Sequence, residues 1–599
     1  FMGIHAIAYT EIRYSEPLHP ILAIFIAATL GEVVTRFKHA RAPSALSDTD
    51  SDTSTTKKVA SPQLGVSIKN ETNYVNFDRY FGWLMIGIII VLGILFRCTN
   101  LDRKFYWHDE AYTSLRISGY TEAEVIEQIF TGQALDVADI QQFQYPTSDK
   151  KISDTIVSLA LEDPHHSPLY YIMAKIWVKY AGASVTALRA LSVLISLLVL
   201  PAIYWIAMEL FQSRITAWIA VCLASLSPFN IIYAQEAREY SLWSVLIVLS
   251  GAVLLWSVRR PSTHKWILYG LTVALGLYTH QFFILVIIAF SAYVIILENF
   301  RWTRTVTGYV AATGGAIVSF IPWAVVIVTN FARLVGSTNW TTNSTEKFYL
   351  LQMWVLGLST SFIDIDLGFY NIWTYILRLL VLGLVAVSFY TLVKNTHKRV
   401  WVFLLALTIM TFLPLAVPDL FVGGIRSTIS RYLIPTIIGF VLAVSYLLGY
   451  LLSTRDSIRS VTSLVIMVVL FSGALTSWIF MRSEQTWWNK IVSPQNPTVA
   501  YILNEAAQPL LIVNEPYPTN LGDILSLSHM LDQDVKIMLF ADSVIPDDIV
   551  QDDNHRDVFI LNPSQLVVSQ LELEQKYSLE PVVDNTLWRL TPQQFYSTR

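Results

Sequence analysis

Four short clusters in this sequence bring together residue types that do chemistry, at positions where packing gives no obvious reason for them. Trp107-His108-Asp109-Glu110 places two carboxylates side by side; like charges repel, so one can hold its proton more tightly and act as a general base. The competing reading is a helix cap, with Asp109 preceding a helix over 110–117. Asp163-Pro164-His165-His166-Ser167-Pro168 offers two imidazoles and an acid to a metal or a phosphate, or else prolines that set a helix start. In Gln235-Glu236-Ala237-Arg238-Glu239-Tyr240 the acids Glu236 and Glu239 share a face if helical, and a salt bridge to Arg238 is the plainer alternative. The fourth cluster joins His280, in Tyr278-Thr279-His280-Gln281, to Arg426 and Arg431. Guanidinium forks suit phosphate oxygens, while snorkelling beside Tyr432 is the alternative for Arg431. Asp364 and Asp366 either line the same cavity or close a juxtamembrane helix.

The elements that must position these groups are membrane-spanning. Of 599 residues, 54% are hydrophobic and 14% charged, against about 25% charged in soluble domains. Apolar runs cover about 80–97, 185–210, 214–232, 241–258, 265–279, 281–297, 307–329, 371–393, 400–417, 432–452 and 461–481. These give about eleven spans of the length needed to cross roughly 30 Å of hydrocarbon. The segment 167–180 is short and holds Lys175 and Lys179, so it reads as a re-entrant or interfacial helix. With that choice Arg214, Arg259, Arg260, Lys265, Arg301, Arg304, Lys394, Lys398, Arg399, Arg455 and Arg459 fall on one side, the cytoplasmic one. All four clusters then fall on the other side, where ionisable groups at span mouths are functional candidates.

Residues 1–79 form an N-terminal region with a Ser-, Thr- and Asp-rich linker over 40–78. An apolar run inside 19–36 is either an extra span or an interfacial helix, and is a poor secretory signal. Residues 80–481 form the transmembrane catalytic domain, with outer loops 98–184 and 330–370. The tail 482–599 turns charged and periodic and reads as an extracytoplasmic α/β domain, with strands at LLIVNE, VKIMLFA and VFIL and helices near 519–532 and 564–575. Trp340, Trp354, Trp487 and Trp488 read as interface anchors. A net charge of −4 and no basic stripe exclude a nucleic-acid partner. Cys98 and Cys222 exclude a disulfide framework.

An early span with an outer Asp-Glu, then HHSPLYYIMAKIWVKYAGASVTALRALSVL, SPFNIIYAQEAREYSL, LYTHQFF and SRYLIP in that order, resembles the bacterial C-type (GT-C) glycosyltransferases. Nearest are the protein O-mannosyltransferase and lipid A aminoarabinose transferase superfamily, over roughly 80–450. The resemblance implies a GT-C fold in a plasma membrane, with the loops and tail outside the cytoplasm. It also implies a polyprenyl-phosphate-linked sugar as donor and a lipid, glycan or protein acceptor. Asp109 would be the catalytic base, with Glu110 completing the motif. His165, His166, Glu236, Arg238, His280, Arg431 and Tyr432 would bind donor phosphate or acceptor, with Arg431, Arg238 and His280 as candidates to stabilise the leaving phosphate. A divalent metal ion, if used, would sit among Asp109, Glu236 and His166. Glu239 stands where many relatives have proline. The rival expectation is a lipid or polysaccharide transporter, which should hold its charges at mid-bilayer beside broken helices.

Overall fold

A computed structural model describes residues 69–454, 459–484, 492–542, 557–574 and 577–592. The segment expected at 19–36, most of the linker, Trp487 and Trp488 lie outside these residues. Residues 69–79 were expected in the linker but are the first turns of a helix, Lys69–Cys98, because a nucleated apolar helix propagates readily into flanking polar residues.

Each of the eleven apolar runs is helical. Among the described residues seven helices are long and apolar enough to cross a membrane, and an eighth crossing is made if a pair bent by 55°, Arg214–Ser225 and Pro228–Ala234, counts as one. Gly82–Cys98 and Phe283–Leu297 are apolar but shorter, as is the helix Thr263–Leu277. Fifteen residues rise only about 22 Å, so length alone does not carry the count to eleven.

The bent pair has a local cause. The first helix ends at Ser225, Ser227 caps the second through the Asn230 amide, and Pro228 opens it, where a missing N–H costs nothing. Arg97, buried, donates to the carbonyls of Ser225 (2.7 Å), Ala224 (3.0 Å) and Gly93 (2.7 Å). Its charge thereby meets the negative end of the Arg214–Ser225 helix. Gly93 permits this approach, since a Cβ there would stand 2.5 Å from the Ser225 carbonyl oxygen.

The ambiguous segment is a 13-residue helix, Leu169–Ala181. Tyr170, Tyr171, Ala174, Lys175 and Val178 bury one face while Tyr180 is exposed. Lys175 donates to the Ile117 carbonyl (2.9 Å), so this helix lies against the first-loop helix His108–Ser118.

The tail forms most of one mixed sheet in the order β1-β3-β2-β4-β6-β5. β2 (Pro509–Asn514), β3 (Lys536–Phe540) and β4 (Asp557–Leu561) run parallel, as buried apolar strands do under helices on both faces. β5 (Tyr577–Val583) and β6 (Leu587–Pro592) form an antiparallel pair joined to β4. The outermost strand, β1 (Thr131–Leu135), comes from the first loop and pairs antiparallel with β3. The sheet thus joins a strand of the first loop to the chain beyond 482. The chain divides into two compact units, Met85–Gly449 with Leu470–Arg599, and Phe1–Leu84 with Tyr450–Val469; the described residues of the latter are helical.

Candidate active site

The first-loop helix begins at His108, capped at Trp107. Asp109 thus lies within the first turn, and the competing reading, in which it caps a helix starting at Glu110, is overturned. Glu110 reaches back to the Trp107 amide (3.3 Å) and so takes the capping task. The rest of Glu110 is committed as well. Both oxygens receive the Arg189 fork (2.8 and 2.7 Å), and Oε1 also accepts from the Ala237 amide (2.8 Å). Arg189 in turn holds the carbonyls of Leu101 (2.6 Å), Lys104 (2.9 Å) and Phe105 (2.9 Å). Both side chains are buried, so the pair fixes the first loop against the span beginning at Val185 and the turn at Ala237.

Asp109 is 21% exposed, and its Oδ2 lies 3.8 Å from Arg431 Nη2. Its backbone carbonyl accepts from Arg238 (3.1 Å), which also bonds Thr113 Oγ1 (3.2 Å). Arg431 stands over the rings of Trp107 (5.4 Å) and Tyr432 (5.7 Å), a cation–π bracket. The turn carrying Arg431 is held from below: Asp419 Oδ2 accepts from Ser427 N (2.6 Å) and Oγ (2.7 Å), and Oδ1 from Arg426 (2.9 Å). Gly424 passes this knot at φ 135°, where a Cβ would meet Arg426 at 2.4 Å and Asp419 at 2.5 Å. Arg426 therefore belongs to the support.

Behind Arg238 runs a polar chain. Its Nη2 donates to His166 Nε2 (3.1 Å), and His166 Nδ1 donates to Glu239 Oε1 (3.0 Å). Burial alone would raise Glu239, yet Arg238 and then His166 hold its carboxyl far below the usual range. Glu239 is thus integral to the site. Burial pushes His280 down to about 3, where it stacks on Trp243 at 4.1 Å and accepts from the Phe282 amide (3.1 Å). Held neutral by its burial, His280 adds no charge to those of Arg238 and Arg431. His165 is likewise driven down to about 3, chiefly by burial and then by His166, and sits 3.4 Å from Ser337 Oγ. Asp163 pairs with Arg116 (2.7 Å), which also bonds Glu122 (2.6 Å) and Glu162. Tyr432 packs edge-on against Phe282 at 4.7 Å. Glu236 is buried one residue from Ala237. Its neighbour Gln235 takes the carbonyls of Phe96 (2.8 Å), Arg97 (3.2 Å) and Thr99 (3.0 Å), and accepts from Lys104 (2.5 Å).

The clusters thus converge at one end of the helices, with two exceptions. Asp364 pairs with Arg378 (3.3 Å) and Asp366 accepts from the Gly368 amide (2.9 Å), while the helix that follows is capped by Asn371. Among the described residues no three His, Cys, Asp or Glu side chains come together to hold a metal; Asp109, Glu236 and His166 do not form that set, and the Arg238 guanidinium occupies the approach to His166. Sequence reasoning missed Arg189, whose charge inside an apolar run was the available signal. It also missed Arg116, for which no spacing gave a cue.

Residues 165–326 match the sequence profile of the family described as dolichyl-phosphate-mannose-protein mannosyltransferase. No curated protein matches the chain. Its fold is similar to ArnT from Cupriavidus metallidurans bound to undecaprenyl phosphate, at 12% identity and a TM-score of 0.51, covering 86% of this chain and 99% of that one. The archaeal oligosaccharyltransferase AglB from Archaeoglobus fulgidus, in complex with an inhibitory peptide and a dolichol-phosphate, aligns at 12% identity and a TM-score of 0.43, covering 87% and 75%.

Proposed function

We propose that this chain is a C-type (GT-C) glycosyltransferase, in keeping with the family match over 165–326 and the shared fold, and that it moves a sugar from a polyprenyl-phosphate donor to an acceptor hydroxyl. The observation that carries the reading is the meeting of Asp109 with Arg431 beside Arg238. That is a partly exposed carboxylate set against two guanidinium groups. In the proposed step the acceptor oxygen attacks the anomeric carbon while Asp109 takes its proton. The bond from that carbon to the phosphate oxygen breaks, and its electron pair stays on the lipid phosphate. The phosphate gains one negative charge, which Arg431 and Arg238 stabilise. A single displacement of this kind inverts the sugar and leaves no covalent sugar on the protein.

His166 and Glu239 keep Arg238 oriented, and Glu110 with Arg189 positions the helix bearing Asp109. Buried Glu236 and half-buried His165 and Tyr432 are assigned to the walls that receive donor or acceptor. A lipid-phosphate donor is supported by the undecaprenyl phosphate bound to ArnT from Cupriavidus metallidurans. An extracytoplasmic site in a plasma membrane agrees with the distribution of Lys and Arg among the loops. The test is purified protein given a panel of polyprenyl-phosphate hexoses and pentoses with a hydroxyl acceptor. Release of polyprenyl phosphate together with glycosylated acceptor is expected. Movement of intact donor across vesicles without cleavage would replace transfer by transport.

A further inference from the structure

The parallel core of the sheet reverses its winding between β2 and β4. β2 leaves through the helix Pro518–Leu527, whose Leu521 and Ile524 share a buried cluster with Leu511 and Val513. β4 leaves through Gln565–Glu574, whose Val567 and Leu571 cluster with Leu510 and Ile512 on the opposite face. In open α/β sheets the crevice at the carboxyl ends of such a strand pair is where ligands bind.

The side chains gathered at the carboxyl ends of β2 and β4 are amides, hydroxyls and two carboxylates. Asn562 Nδ2 donates to Asp523 Oδ2 (2.8 Å), and Asp523 Oδ1 accepts from Asn496 (3.4 Å) and Ser493. Ser564 Oγ donates to Glu515 Oε1 (3.2 Å). Asn520 holds the carbonyls of Asn514 (3.0 Å) and Glu515 (3.1 Å). Asn514 ends β2, and by strand alternation its side chain falls on the Gln565–Glu574 side. It is fully buried, and among the described residues neither atom of its amide has a partner. An amide buried with both ends unmet is costly enough to need an explanation.

The chemistry of the lining selects the ligand. Among the described residues no lysine or arginine takes part in these bonds, which therefore offer an anion no counter-charge. Both carboxylates already accept N–H or O–H donors, which is the environment of a neutral hydrogen-bonding site. Sugar hydroxyls both donate and accept, and so match the two ends of an amide. Tyr517, 57% exposed at the start of the Pro518–Leu527 helix, offers an apolar ring face to the C–H side of a pyranose. The same helix reaches the active site: Gly522 lies so close to His108, the neighbour of Asp109, that a Cβ would stand 2.1 Å from its ring.

We propose that this crevice binds a neutral carbohydrate segment of the acceptor, through Asn514, Asn520, Asp523 and Asn562. Its purpose rests on the glycosyl-transfer reading, whereas its binding does not. The test uses the full chain in detergent with neutral di- and trisaccharides of glucose, mannose, galactose and arabinose, read by saturation-transfer NMR, and calcium chloride alone as a separate arm. At least one saccharide should bind the native protein and bind Asn562→Ala roughly ten-fold more weakly, the loss of about one good hydrogen bond. Asn514→Leu, close in size, should weaken it similarly, with the unfolding temperature confirming that each variant is folded. The inference is overturned if none of the saccharides binds, if folded variants bind as well as the native chain, or if calcium raises the unfolding temperature and saccharides do not. Saccharide binding by native protein that cleaves no donor would instead sink the transfer reading and leave the crevice standing.

Discussion

Adjacent in sequence, Asp109 and Glu110 part company in the fold. Glu110 lies buried in a two-point pair with Arg189, and removing one member of such a pair strands the other charge. Glu110→Gln is therefore expected to destabilise the protein by about 3–5 kcal/mol, read as a lower unfolding temperature in detergent. Arg189→Met added to Glu110→Gln should recover part of that loss; a single variant as stable as the native chain would show that the pair carries no structural weight. Arg431 makes a different prediction. Arg431→Lys keeps the charge but loses the fork, and should lower turnover by about 10²–10³ while the fold survives. Unchanged turnover would remove the guanidinium from the phosphate site. At this scale the sequence exposed Asp109, Arg238 and Arg431, since charged groups at a span mouth are conspicuous. It hid the division of labour inside the doublet, because that depends on Arg189, some eighty positions downstream.

The positioning elements hold groups that resist protonation. Burial sets His165 and His280 at about 3, and His529, on the C-terminal side, at about 4. Unfolding returns each to its ordinary value of 6.5. Above 6.5 both states are neutral and these groups contribute no pH dependence. Below it the unfolded chain binds protons that the folded chain refuses, so stability should fall with pH from 6.5 toward 3, by up to about 1.4 kcal/mol per pH unit for each histidine. Glu239 and Asp163, held low in the fold, add losses of the same sign once pH drops below the ordinary carboxylate range. Unfolding curves that coincide across this window would contradict the assignment. Apolar runs revealed the helices plainly. The kink at Ser227 was invisible in hydropathy, which does not register that Arg97 and Gly93 fasten the break.

Taken whole, the C-terminal sheet is built from two distant parts of the chain. β1 closes it beside β3, Ser526 Oγ donates to the Tyr106 carbonyl (2.6 Å), and Trp107 Nε1 donates to the Val492 carbonyl (3.0 Å). A separately expressed 492–599 should consequently fail to give a folded, cooperative domain, since it lacks its edge strand and the surface under Pro518–Leu527. A well-dispersed NMR spectrum from that piece would refute this. Sequence patterning did locate β2, β3, β4 and their helices in the tail, where apolar strands alternate with helical periods. It missed β1 because Thr-Gly-Gln-Ala-Leu has neither alternation nor β-branched density, and its partner lies some four hundred residues away.

The central claim is that Asp109 accepts the proton of the acceptor hydroxyl, and one comparison tests it most directly. Transfer and donor binding are measured side by side for the native chain and Asp109→Asn. The account predicts donor binding within a small factor of native and transfer lowered by about 10²–10⁴, the usual worth of a general base. Undiminished transfer by Asp109→Asn would contradict it.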